Sequence, residues 1–177
     1  VFRDKKGLQY SPNPAAFGPA WFVQNLQFVP DDNAEILALR SADLRHTAIL
    51  QNSYTGLKNF RPQADSTARI RFDKYTPEAL TYTSHNPADG FAVFSENYYP
   101  YGWKAYIDGK PVPIYKVNYS LRGLRIPAGQ HKIEMRFEPQ VIRKGGKISL
   151  LFIVLFLLGV AYWFFELWKK RQASVSA

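Results

Sequence analysis

The run Ile148–Phe165, ISLLFIVLFLLGVAYWFF, contains no Asp, Glu, Lys or Arg. A helix needs about 20 apolar residues, and no fewer than about 17, to cross the hydrocarbon core of a bilayer. A helix buried in a soluble core is usually shorter and keeps a polar face. Arg143, Lys144 and Lys147 precede the run, and Lys169, Lys170 and Arg171 follow it. Tyr162, Trp163 and Trp168 gather at its far end, where amphipathic rings settle at headgroup level. The pattern predicts one C-terminal transmembrane α-helix, with residues 143–171 as the helix and its basic flanks and 172–177 as a tail. Trp163, Trp168, Lys169, Lys170 and Arg171 are the expected membrane anchors, and the lipid bilayer is the expected partner. Three basic residues stand on each side, so the charge bias is balanced and does not set the orientation.

Residues 1–142 read differently. Short alternating segments separated by turn residues predict a mainly β fold, an antiparallel β-sandwich with one short helix. In His131–Phe137, Ile133, Met135 and Phe137 share one face while Lys132, Glu134 and Arg136 share the other. Asp108-Gly109 lies between WKAYI and KPVPIYKV, a strong hairpin signal because both central residues must tolerate positive φ. Further strands are expected over Ala68–Asp73, Ala79–Ser84, Phe91–Tyr99, Ala20–Val29 and Thr47–Gln51. Asp32 with Glu35 resembles a capping box opening a helix through about Leu39. The segment QVIRKGGK joins the sandwich to the apolar run within a few residues, which holds the domain close to the bilayer surface.

The chemistry carried by the chain is sparse. Cysteine is absent, and His46, His85 and His131 are scattered without partners at metal-ligand spacing, so no metal site and no cofactor are expected. A net charge of +9 raises nucleic acid as a partner, yet the basic clusters flank the apolar run and no recognition motif is present. Nucleophile elbows, phosphate-cradling glycine loops and HExxH are missing. Asp31-Asp32 reads as a helix cap ahead of a carboxylate dyad, and Asp73, Asp89 and Asp108 fall at strand ends or turns. By itself the chain does not read as an enzyme.

The stretch Glu96–Lys110, ENYYPYGWKAYIDGK, holds five aromatic rings in fifteen residues. Pro100-Tyr101-Gly102 is turn chemistry, so a strand beginning at Trp103 places Trp103, Ala105 and Ile107 on one face. Trp103, Ile107, Ile133 and Phe137 are therefore expected in the core. Tyr98, Tyr99 and Tyr101 flank the turn and are the candidates for stacking on a glycan.

Asn13-Pro14-Ala15-Ala16-Phe17-Gly18-Pro19-Ala20-Trp21-Phe22-Val23 and the block DGFAVFSENYYPYGWKAYIDGKPVPIYKVNYSLRGLRIPAGQHKIEMRFEP, Asp89–Pro139, resemble the bacterial membrane protein YfhO family. The resemblance implies a β-rich region followed by a last transmembrane helix, at the C-terminus of a polytopic membrane protein. It also implies likeness to GT-C type glycosyltransferases, which use polyprenyl-phosphate sugars, and a link of the family to glycosylation of cell-envelope polymers, lipoteichoic acid among them. The chain opens at Val1 without an initiator methionine, and is expected to be the C-terminal piece of such a protein. Catalytic residues are expected upstream of it, and none is carried over. The resemblance places the sandwich outside the cytoplasmic (inner) membrane and residues 172–177 in the cytoplasm. Envelope glycan or a polyprenyl-linked sugar is then a partner through the upstream part. The alternative is a membrane-anchored carbohydrate-binding or structural sandwich without catalysis.

Overall fold

The computed structural model describes residues 13–139 apart from 14 and 64, the backbone of 2–3 and 9–10, and residues 149–163. In chain order the strands are β1 (Phe2–Arg3), β2 (Gln9–Tyr10), β3 (Ala20–Val23), β4 (Asn25–Val29), β5 (Thr47–Gln51) and β6 (Arg69–Thr76). They continue with β7 (Ala79–Asn86), β8 (Gly90–Asn97), β9 (Trp103–Ile107), β10 (Lys110–Val112), β11 (Tyr115–Val117), β12 (Leu121–Ile126) and β13 (Gly129–Phe137). Helix α1 (Asp32–Leu39) links β4 to β5, and a single 3-10 turn covers Thr55–Leu57.

Two antiparallel sheets dominate, as the alternating segments predict. One runs β10-β9-β13-β7-β6 and the other β11-β12-β8-β3. Leu80, Tyr82, Ala105, Ile107, Ile133 and Met135 from the first meet Ala20, Ala92, Phe94, Leu124 and Ile126 from the second in one buried cluster. The four-stranded sheet also buries its other face: Val23, Phe91, Val93 and Val117 pack with Ala48, Leu50 and Leu57. Burial on both faces explains why FAVF in β8 is continuously apolar instead of alternating.

Thr47–Gln51 forms the strand that its sequence predicts, and the Asp108-Gly109 hairpin forms with both residues at positive φ, 50° and 78°. The expected strand over Ala20–Val29 is two strands. The chain breaks at Gln24, where the amides of Gln24 and Asn25 both donate to His46 O, at 2.8 and 2.9 Å. Beyond the break, β4 leaves the sandwich sheet and pairs in parallel with β5. The capping box is also corrected. Asp31 is the N-cap, its carboxylate accepting from Ala34 N at 2.8 Å, and Glu35 turns inward to complete burial.

The chain divides into two compact units, Val1–Phe137 and Glu138–Ala177. In the second, residues 149–163 are helical, and Leu150–Leu158, Tyr162 and Trp163 are exposed. No helix among the described residues is long and apolar enough to cross a membrane. Ile148, the joint at 140–147, and the expected anchors Trp168, Lys169, Lys170 and Arg171 lie outside the described residues.

Candidate functional site

The connection from β8 to β9 carries the aromatic stretch. Tyr98 N donates to Ser120 O at 2.6 Å, which fixes where the chain leaves β8. Gly102 then turns the chain at φ 131°, a conformation that L side chains rarely adopt. A Cβ there would come within 2.6 Å of the Phe137 ring, so glycine also provides the clearance for close packing. Trp103 follows at the first position of β9. Its ring lies 5.5 Å from that of Phe137, its register partner on β13.

The expected core residues hold that role to different degrees. Ile107 and Ile133 are buried, whereas Trp103 and Phe137 are half-buried at the open end of the core. Trp103 thus has one side against the cluster and another toward a cleft of about 360 Å³, shared with Tyr98, Tyr99, Pro100, Val112 and Ile114. Tyr98 is half-buried, and burial pushes its phenol up from the usual tyrosine range. Tyr99 and Tyr101 are 50% and 73% exposed and meet edge to face at 5.6 Å. The structure therefore brings Tyr98, Tyr99 and Trp103 into one cleft and leaves Tyr101 outside it, bracing Tyr99.

Sequence reading missed the residue behind the cleft. Arg122 on β12 is 3% exposed, and its guanidinium carbon lies 4.2 Å from the Trp103 ring centroid. Its Nε donates to Asn97 O at 2.9 Å and one terminal nitrogen reaches Met135 Sδ at 3.6 Å. The contact ties the two sheets together. Burial holds this guanidinium below the usual arginine range and pushes the neighbouring Tyr82 phenol up to about 12. The signal was present in LRGLRI: Arg122 has the parity of Leu124 and Ile126, which face the core.

Each of the acidic candidates has a partner within the sandwich. Asp32 pairs with Lys116, Asp89 with Arg125, and Asp108 with His131, while Asp73 accepts from Thr83 and Arg71. Asp31 serves the helix cap and does not form a dyad with Asp32. Among the described residues no group of three or more His, Cys, Asp or Glu is placed to hold a metal ion.

Fold and cleft together define a β-sandwich module with an aromatic recess at one end of its core. Residues 35–149 match the model of the family described as bacterial membrane protein YfhO, and the chain belongs to that family. The match takes in the whole Asp89–Pro139 block and the cleft, while Asn13–Val23 lies before it. No curated protein and no solved structure matches the chain.

Proposed function

We propose that the chain is the extracytoplasmic part and final membrane helix of a GT-C type glycosyltransferase acting on cell-envelope polymers. In this reading the sandwich is non-catalytic and positions the acceptor glycan, while sugar transfer belongs to residues upstream. Membership of a bacterial membrane protein family supports the membrane setting. The helical, apolar residues 149–163 form the centre of the proposed span, which needs only a few further residues from the uncharged run to reach bilayer length.

The observation that carries the glycan role is the meeting of Tyr98, Tyr99 and Trp103 in one cleft. Aromatic faces offer apolar area to the C–H face of a sugar ring, and phenol hydroxyls offer hydrogen bonds at its rim. A membrane-anchored glycan-binding module without a transferase would use the same cleft. The test is calorimetric titration of the 177-residue chain in nanodiscs with a β-1,4-linked glucose tetramer. Binding that weakens about three- to tenfold in Tyr99→Ala, the loss of one aromatic contact, is expected. Absence of binding, or binding unchanged by Tyr99→Ala, would count against the glycan role.

A further inference from the structure

We infer that the aromatic cleft selects anionic saccharides over neutral ones, and that Arg122 is the specificity-determining residue. The inference rests on the glycan-binding reading above and names its substrate class.

A buried guanidinium is costly unless a counter-charge or full hydrogen bonding compensates it. Arg122 is compensated only in part: among the described residues it forms no ion pair, and its contacts are one carbonyl, one thioether and the Trp103 ring. Glu96 is close enough to influence it without pairing. The geometry that seats it is specific. Leu121 pairs with Asn97 but Arg122 pairs with Phe94, so β8 bulges at Ser95 and Glu96 opposite this position. Bulges of this kind re-aim side chains beside functional sites.

Trp103 lines the cleft and Arg122 does not, so the buried cation meets the recess through the ring that it packs on. A cation drawn to one face of an indole withdraws electron density from the other. The positive field behind the ring, offset only in part by Glu96, then favours a negative substituent on a sugar that stacks there. For a unit charge about 8 Å away at an effective dielectric near 20, the preference is on the order of tenfold after partial screening by solvent. Lys104 also lines the cleft, half-buried and engaged in an interaction of its own.

The experiment compares the β-1,4-linked glucose tetramer with the corresponding glucuronate tetramer, which differ only at C6, where a carboxylate replaces each hydroxymethyl group. Both are titrated into the full chain in nanodiscs of zwitterionic lipid, at low salt and at about 0.5 M, where the Debye length is only ~4 Å. The expected result is glucuronate binding on the order of tenfold tighter at both salt concentrations. In Arg122→Met, whose apolar side chain suits the core, the preference is lost and the two tetramers bind equally, whatever the change in their common affinity. Equal affinities in the wild-type chain, a preference abolished by salt, or one that survives Arg122→Met would each overturn the inference. The wild-type salt comparison decides the matter if Arg122→Met fails to fold. Glucose binding without preference sinks this inference alone, whereas binding of neither tetramer sinks the glycan role with it.

Discussion

Glu35 Oε1 accepts a hydrogen bond from Tyr119 N at 2.7 Å, across 84 residues of sequence. Glu35 is fully buried in α1, and Tyr119 sits at φ 70° in the β11–β12 turn, beside Asn118 at φ 49°. Left-handed backbone in a bulky residue is strained and persists only where its surroundings hold it. The carboxylate supplies part of that hold. Its second oxygen lies 3.5 Å from Gln51 Nε2 and 3.9 Å from Lys116 Nζ, so one side chain joins α1, β5 and β11.

Glu35→Ala is expected to lower stability by about 2–3 kcal/mol, because it strands the part-buried Tyr119 amide and removes a charge-assisted acceptor. Chemical denaturation of the full chain in detergent measures this. A midpoint within error of wild type would mean that the turn holds its own conformation.

The Asp108 carboxylate, itself in the hairpin turn, faces His131 Nδ1 at 2.6 Å, and His131 Nε2 faces Ala128 O at 3.1 Å. Both ring nitrogens meet acceptors, so only the doubly protonated imidazolium satisfies both. The Asp108 hydrogen bond accordingly holds His131 above the ordinary histidine range and Asp108 below the carboxylate range. The histidine contribution is complete below its unfolded value of about 6.5 and is lost as pH rises through the higher folded value. The aspartate contribution is complete above about 3.8 and is lost as pH falls through the lower folded value. Both are present together from about pH 4 to 6.5. Melting curves from pH 5 to 9 should show wild type losing more stability than His131→Ala on the alkaline side. Parallel curves would show that the pair contributes nothing measurable.

The parts of this fold that local sequence announces are those in which neighbours decide. Thr47–Gln51, His131–Phe137 and the Asp108-Gly109 turn were legible because alternation and turn chemistry operate over a few residues. The break at Gln24 was not, since its cause is His46 O, contributed from the far side of α1. Glu35 read as a capping residue for the same reason: the amide that draws it inward belongs to a distant turn. At the cleft, the exposed tyrosines and the position of Trp103 followed from the turn at Pro100–Gly102. The role of Arg122 did not, because its partners Trp103 and Met135 lie on the opposite sheet.

The proposed outward orientation predicts that a cysteine on the sandwich reacts from outside the cell. The chain contains no cysteine of its own. Lys110 is exposed beside the hairpin turn, and replacing it spares the Asp108–His131 pair. Lys110→Cys should react with a membrane-impermeant maleimide in intact or outer-membrane-permeabilised cells. Labelling seen only after the inner membrane is lysed would place the sandwich in the cytoplasm.

Trp103 and Tyr101 differ sharply in their structural share within a single turn. Trp103→Ala removes a ring packed against Phe137 and the inter-sheet core, and it also strips Arg122 of its π partner. A cost of about 3 kcal/mol is expected, the lower end for truncating a large aromatic because the ring is only half-buried. Tyr101, 73% exposed, touches Tyr99 at the rim, and Tyr101→Ala should cost no more than about 0.5 kcal/mol. Thermal melts of the two variants beside wild type read the difference directly. On the proposed glycan role, binding by Tyr101→Ala should fall only modestly, since the residue braces a wall of the cleft without lining it. An unchanged midpoint in Trp103→Ala, accompanied by lost glycan binding, would make Trp103 a recognition residue with no structural share in the core.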